Sequence, residues 1–184
     1  MYADNTLTPK EAIRLCVLGT LALATSPMPY DALASAVRHF IDRILGPSIE
    51  LMGPSVELLK YEGLIAAVEG KGMEDNATFT LTEDGNAALD KLLIAPLRNQ
   101  ATDLNKLIVA LKFRFLHLLN AAEGRHQADY LVEYYEGQLV RLDDLRQFHA
   151  DDPGHLAQWL SHDLALTEQR LVWLKDFQKS LDAA

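Results

Sequence analysis

The sequence predicts a mainly α-helical protein with a winged helix-turn-helix unit in its N-terminal half and long antiparallel helices in its C-terminal half. Three observations predict this fold. A helical pattern stops at Gly63, two short apolar strand patterns joined by a polar turn follow it, and helical apolar stripes dominate the chain beyond Pro96. A helix followed at once by a two-stranded β-ribbon can present one helix and one loop tip to DNA.

Composition and charge limit the class of protein. The 184 residues are 49% hydrophobic and carry a net charge of -9, which predicts an ordinary soluble protein without a membrane span. The single Cys16 excludes an internal disulfide, and the N-terminus lacks the pattern of a secretory signal, so we expect a cytoplasmic protein. Residues 1–95 contain 7 Lys and Arg against 13 Asp and Glu, a net charge of -6. This acidic balance predicts weak non-specific binding to DNA.

Caps and helix breakers predict the first two helices. The run Thr8-Pro9-Lys10-Glu11 has the pattern of a capping box, which predicts a helix that ends near Ala24. The two prolines of Ser26-Pro27-Met28-Pro29 break this helix because proline removes backbone donors and restricts the torsions before it. A second helix is predicted from about Tyr30 to Gly46.

A third helix is predicted between Ser48, which is placed to cap it, and Gly63, which ends it. Pro54 should weaken or bend this helix because it removes one backbone donor. Four apolar residues recur at helical intervals and are expected to face the core: Ile49, Met52, Val56 and Leu59.

The predicted β-ribbon, or wing, follows the third helix. Its strands are expected over residues 64–68 and 77–81, with Gly70-Lys71-Gly72 at the tip. A fourth helix over residues 83–94 is expected to be capped by Thr82. Together these elements predict a DNA-binding domain over residues 1–95.

Long helical patterns predict a dimerisation domain over residues 96–184. Helices are expected over residues 104–118, from Gln127 to Phe148, and from Asp152-Pro153 to about Leu181. The short connection between the last two makes them antiparallel neighbours, and their spacing resembles a coiled-coil hairpin, a common means of joining two subunits. The residues predicted to form the dimer interface are Leu111, Phe115, Leu131, Tyr135, Leu142, Leu160, Leu171 and Leu174.

Two alternatives remain for the DNA-binding face, because Glu50 and Glu57 are predicted to point outward from the third helix and would repel phosphate. The unit either binds DNA through neighbouring cations and hydroxyl groups, or has lost much of its DNA affinity and serves as a protein-interaction module. Two of the cations, Arg38 and Arg43, could instead be solvated or paired with Asp42 and neighbouring acids. The predicted DNA-binding residues are Arg38, His39, Arg43, Ser48, Ser55, Lys60 and Lys71.

The segments Gly53–Ile65 and Phe79–Gly85 resemble the winged-helix signature of the PadR family of transcriptional regulators. The resemblance includes Pro54 and the Glu62-Gly63-Leu64-Ile65 exit from the third helix. With its long helical C-terminal half, the sequence is most similar to the AphA-like, virulence-activator branch. This resemblance implies a homodimer that is joined through its C-terminal helices and places two winged units on pseudo-palindromic double-stranded DNA. The chain departs from the family pattern at Gly53, usually aromatic, and at Glu57, usually basic.

Other kinds of function find little support. The sequence lacks a phosphate-binding loop, a G-x-S-x-G turn and an H-E-x-x-H motif, so we predict a non-enzymatic protein without a cofactor. His155 and His162, with Asp163, lie two turns apart on one predicted helix, and a metal site would need further ligands from elsewhere, so no metal is predicted. Aromatic residues could line a pocket for a small-molecule or protein effector, but core and interface packing is favoured for them: Phe113, Phe115, Tyr130, Tyr134, Tyr135, Trp159 and Trp173.

Overall fold

The computed structural model describes residues 6–46, 52–71, 75–98 and 102–182, without the side chains of residues 52–54 and 182. Its elements are α1 (Pro9–Leu23), β1 (Met28–Pro29), α2 (Tyr30–Leu45), α3 (Met52–Tyr61), β2 (Ile65–Glu69), β3 (Thr78–Leu81), α4 (Glu83–Ile94), α5 (Asp103–Phe115), a 3-10 turn (Leu116–Leu118), α6 (Ala121–Phe148) and α7 (Leu156–Asp182). They form two compact units, residues 1–119 and 120–184. The prediction of a mainly helical chain with a winged helix-turn-helix and long C-terminal helices is confirmed.

The helix α5 belongs to the N-terminal unit, so the compact units divide after Leu119 and not after residue 95 as the sequence predicted. It packs against α1 and α2. The ring of Phe115 lies so close to Gly19 that a Cβ added there would come within 2.5 Å of it. The Arg114 guanidinium lies 4.6 Å from the centroid of the Phe40 ring and 4.9 Å from that of Phe115. These contacts help to bury the apolar side of α5, which includes Leu107, Ile108 and Leu111.

The central helix of the N-terminal unit is α1, which packs against α2, α3, α4 and α5. The predicted capping box is present: the Thr8 N–H donates to the Glu11 carboxylate at 2.7 Å, and the Glu11 N–H donates to the Thr8 hydroxyl at 3.3 Å. The bond from the Thr8 backbone lowers the pKa of Glu11 because it stabilises the charged carboxylate. Cys16 is fully buried, and burial raises the pKa of its thiol to about 11.

The wing belongs to a three-stranded antiparallel sheet of order β1-β3-β2, one strand more than predicted. The extra strand uses the proline-containing segment that the sequence predicted only as a break, with Pro29 opposite Thr78. Proline is tolerated here because β1 is an edge strand. The same region caps α2, since the Asp31 N–H donates to the Asn76 side-chain oxygen at 2.9 Å and the Tyr30 N–H donates to the Ala77 carbonyl at 3.0 Å.

The helix α3 ends at Tyr61, and the glycine that the sequence predicted as its stop follows two residues later. Gly63 has a φ of +75°, which favours glycine, and its N–H donates to the Lys60 carbonyl at 3.0 Å. The Leu64 N–H donates to the Leu59 carbonyl at 2.9 Å. This pair of bonds is a Schellman motif, which satisfies the last carbonyls of α3 and directs the chain into β2.

The end of the wing is joined to the end of α3 by the cap of α4. The Thr82 hydroxyl lies 2.8 Å from the Gly63 carbonyl and 2.9 Å from the Leu64 carbonyl, and accepts the Gly85 N–H at 3.0 Å. A Cβ built at Gly85 would overlap the Leu64 carbonyl oxygen and lie 2.7 Å from a methyl group of Leu81. The predicted cap at Thr82 is thus confirmed, and glycine at position 85 is a condition of this close packing.

A buried lysine connects α5 to the end of α4. Lys112 is fully buried, and its ammonium donates to the carbonyl oxygen of Leu93 in the last turn of α4. Burial lowers the pKa of Lys112 to about 7 because the low-dielectric interior disfavours the charged form. The amine therefore stabilises a helix C-terminus at the cost of desolvating a cation.

The C-terminal unit is an antiparallel hairpin of α6 and α7. α6 begins at Ala121, earlier than the predicted Gln127, because Asn120 caps it by accepting the Glu123 N–H at 2.9 Å. α7 begins at Leu156, three residues after the predicted start. Pairs such as Asp129 with Gln178, at 2.6 Å, and Glu136 with Lys175, at 2.7 Å, show the antiparallel arrangement.

Within the residues that the structure describes, no helix is both long enough and apolar enough to cross a bilayer.

Replacing Gly85 by alanine should destabilise the protein by about 1–3 kcal/mol, because the new methyl group has no room beside the Leu64 carbonyl. The neighbouring Asn86→Ala is the matched control, since Asn86 is exposed on the same turn and its replacement should change the unfolding free energy by less than about 0.5 kcal/mol. Urea unfolding of both variants measures the difference. Equal stability of the two variants would contradict the packing described here.

Replacing Lys112 by methionine should change how stability depends on pH. The pKa of Lys112 is about 7 in the fold against 10.5 for an unperturbed lysine, so between these values the unfolded chain binds one proton more. The destabilisation by Lys112 is therefore complete below about pH 7 and is relieved as the pH rises, by up to about 1.4 kcal/mol per pH unit. Lys112→Met should lose this rise, whereas the exposed Lys106→Met should keep it. Chemical unfolding at pH 6 to 9.5 measures the unfolding free energy of the wild type and both variants. Parallel curves of this free energy against pH for all three proteins would contradict the prediction.

Candidate nucleic-acid interface

The position of α3 is set by its contacts with α1. Val56 and Leu59 are fully buried, and α3 packs against α1. At the end of α3, the Glu62 carboxylate accepts hydrogen bonds from both terminal nitrogens of the Arg14 guanidinium, a bidentate ion pair that is partly shielded from solvent. The opposite side of α3 is thereby left facing solvent.

The wing tip presents Lys71 to solvent, as the sequence predicted. Gly70 before it has a φ of +76°, and a Cβ at Gly70 would lie 2.9 Å from the Cα of Ala77, so this turn requires glycine. The Lys71 N–H donates to the Asp75 carboxylate at 2.6 Å, which holds the backbone of the tip while the Lys71 side chain remains exposed.

Lys60 connects α3 to the wing. Its ammonium donates to the carbonyl oxygen of Lys71 and lies 4.0 Å from the Glu57 carboxylate. The sequence predicted Lys60 as a DNA contact, but in the structure its ammonium donates to a backbone carbonyl of the protein itself and lies within ion-pair distance of Glu57. Its first role is to position the wing tip beside α3.

The predicted cations of α2 are accessible. Arg38, His39 and Arg43 are all exposed, and neither guanidinium forms an ion pair with Asp42 or with any other residue in the described ranges. His39 and Arg43 are four residues apart and share one face of α2. Arg38 lies about 100° away around the helix, so the three side chains do not form a single stripe.

The two serines predicted as DNA contacts are not both exposed in the described part of the chain. Ser55 is half-buried on α3, and Ser48 lies outside the described residues, as does Glu50. The exposed face of α3 instead carries two side chains that the sequence reasoning missed, Leu58 and Tyr61. Their spacing of one and four residues from the outward Glu57 was the signal that could have found them.

The predicted dimer-interface residues are mostly covered within a single chain. Leu111 and Phe115 are fully buried, and both belong to the N-terminal unit. The others lie on α6 and α7, where Leu142 is half-buried and the rest are buried: Leu131, Tyr135, Leu160, Leu171 and Leu174. Apart from Leu142, these side chains are packed within the chain and little of their surface is exposed.

The residues that the sequence offered as a possible metal site or effector pocket do not come together in one place. His155 and His162 are exposed, and within the described ranges no group of His, Cys, Asp and Glu side chains is arranged to hold a metal ion. Of the aromatic set, Phe113 and Phe115 belong to the N-terminal unit and the others to the C-terminal unit. An open groove of about 380 Å³ lies between α6 and α7, lined in part by Leu139, Asp143, Arg146 and Glu168.

Residues 2–178 match the family model described as AphA-like transcriptional regulator. No match was found among curated proteins. Similar solved structures include Bacillus subtilis PadR, at 17% identity and a TM-score of 0.40 over 96% of this chain and 98% of that chain. The complex of that protein with p-coumaric acid is 18% identical, with a TM-score of 0.38 over 93% of this chain and 99% of that chain. Its complex with operator DNA is 17% identical, with a TM-score of 0.37 over 91% of this chain and 98% of that chain.

The solved structures are too dissimilar in sequence and in TM-score to assign a family. The family of this chain is assigned by the match of residues 2–178 to the family model. That match spans both the winged unit and the long C-terminal helices, and it confirms the AphA-like resemblance of Gly53–Ile65 and Phe79–Gly85. The protein therefore belongs to the family of AphA-like transcriptional regulators.

Proposed function

We propose that this regulator acts in the cytoplasm as a homodimer that binds a pseudo-palindromic operator in double-stranded DNA. The observation that carries the proposal is the joint presentation of the exposed face of α3 and the Lys71 side chain at the wing tip, linked by the Lys60 ammonium. In winged units, a helix of this kind enters the major groove and the wing contacts the flanking phosphates or the minor groove.

Local charge supports DNA binding despite the net charge of -6 over residues 1–95. Three acids around α3 and the wing have cationic or N–H partners: Glu62 pairs with Arg14, Glu57 lies beside Lys60, and Asp75 accepts the Lys71 N–H. Exposed cations remain on α2 and at the wing tip. Binding to phosphate depends on such local cations and the counterions they release rather than on the charge of the whole domain.

An exposed apolar stripe on α7 supports the homodimer. Trp159, Leu166 and Trp173 are spaced by seven residues, lie on one side of the helix, and are between 48% and 60% exposed. Trp173 also stacks on Phe177, which continues the stripe. A single chain rarely exposes such a row, so we propose that a second copy of α7 covers it, as in a coiled coil.

An effector would act through the C-terminal unit in this proposal. The groove between α6 and α7 is open to solvent, and its Arg146 and Asp143 side chains pair with each other at 2.6 Å. A small molecule or a protein segment that binds there could change the packing of the two helices. We place the effector contact in this groove.

A protein-interaction module is the second candidate function. It is favoured by Leu58 and Tyr61, which are exposed on α3 beside the carboxylate of Glu57. In this alternative α3 would bind a partner protein instead of bases. Failure to bind any duplex at low salt would favour this candidate over the operator proposal.

Changing Lys71 to glutamate should weaken DNA binding and make it less dependent on salt. Loss of one phosphate contact in each subunit should reduce the slope of log affinity against log salt by about one for each tip. Lys179→Glu, in the last turn of α7, changes the net charge equally and should leave the slope unchanged. Fluorescence anisotropy with promoter DNA at several salt concentrations measures both. Equal slopes for all three proteins would contradict a role for the wing tip.

Changing Leu166 to glutamate should weaken the dimer by about tenfold or more, because it removes a leucine that the proposed seam would bury and places a charge there. Val172→Glu is the matched control, since Val172 is 63% exposed on another side of α7. Sedimentation equilibrium gives the dissociation constants. A wild-type monomer, or equal effects of the two changes, would contradict the seam proposed here.

A further inference from the structure

The exposed face of α3 is partly apolar. Leu58 is 46% exposed and Tyr61 is 88% exposed, and residues three apart on a helix lie side by side. Val56 and Leu59 occupy the buried side of the same helix. Glu57 completes the outward face, because it precedes Tyr61 by four residues. This face thus combines two apolar side chains with one carboxylate.

The one cation of α3 is directed toward the protein itself. Lys60 is the one basic residue within Met52–Tyr61, and its ammonium is directed to the Lys71 carbonyl and the Glu57 carboxylate. Recognition of guanine in the major groove commonly uses Arg or Lys as donors to its O6 and N7 atoms. The described part of α3 has no arginine, and its one lysine already donates to the wing.

Thymine offers a matching partner for an apolar side chain. Its C5 methyl group is the apolar feature of the major groove, and contact with it is read by apolar side chains. Resting on the DNA-binding function proposed above, we propose that α3 selects thymine at defined positions of each half-site through contact of Leu58 and Tyr61 with these methyl groups.

Charge around α3 favours nucleic acid as the occupant of this face. Lys71 at the wing tip and Arg38, His39 and Arg43 on α2 are exposed in the same compact unit. A phosphate backbone on either side of a major groove complements such flanking cations. The Glu57 charge beside Leu58 is moderated by the Lys60 ammonium at 4.0 Å, which limits its repulsion of phosphate.

The test begins with selection of binding sites from a random double-stranded DNA library by the full-length protein. The selected duplex is then prepared with deoxyuridine in place of each thymidine of one half-site in turn, which removes the methyl group alone. We expect wild-type affinity to fall by roughly fourfold for each contacted methyl group, the effect of exposing one methyl-sized apolar group.

Variants identify the side chains that make the contact. Leu58→Ala and Tyr61→Ser should each bind the thymidine duplex more weakly and should lose the preference for thymidine over deoxyuridine at one position. Lys71→Glu should weaken binding to both duplexes alike and keep the preference. Leu23→Ala, a change of an exposed leucine at the end of α1, should alter neither affinity nor preference.

The outcomes separate this inference from the proposed function. If the wild-type protein binds a selected duplex tightly but does not distinguish thymidine from deoxyuridine, the inference is overturned and DNA binding stands. Selected half-sites without thymine also overturn it. If no duplex binds at low salt, both fail, and the apolar face is assigned to a protein partner. The wild-type comparison holds even where a variant folds poorly, and circular dichroism identifies such variants.

Discussion

The close packing where the end of α3, the base of the wing and the start of α4 meet is the constraint on which the N-terminal unit depends. The Thr82 hydroxyl joins the exit of α3 to the cap of α4, and Gly85 leaves room for the Leu64 carbonyl. Because these contacts are made with the backbone at the exit of α3, they hold the direction of α3 relative to the wing whatever side chains α3 displays. The exposed face of α3 can therefore differ from the family pattern, as Glu57 does, while the fold is retained.

Local signals made much of the fold predictable from the sequence. The caps at Thr8 and Thr82 and the stop at Gly63 each depend on hydrogen bonds within a few residues, so the residue types alone indicated them. The strand at Met28–Pro29 was missed because it exists only through pairing with β3, about fifty residues away. The packing of α5 was missed for the same reason, since the apolar pattern showed that Phe115 is buried but not that Gly19 receives it.

The candidate site was predictable only where a side chain simply faces solvent. Lys71 is exposed at the wing tip as expected, whereas Lys60 is committed to a backbone carbonyl, an acceptor that no residue type reveals. On α7 the sequence pattern does not reveal which apolar side chains pack within the chain. The structure assigns the stripe containing Leu160 and Leu174 to the core of the chain, and the row from Trp159 to Trp173 is left exposed.

The location of Cys16 makes the one thiol of this chain a natural reporter of internal opening. Its sulfur is fully covered in the middle of α1, and burial raises the thiol pKa to about 11, so little thiolate exists in the native protein at neutral pH. A thiol-specific reagent can reach it only when the surrounding helices separate. The rate of such labelling would therefore follow transient exposure of the N-terminal core at this one position.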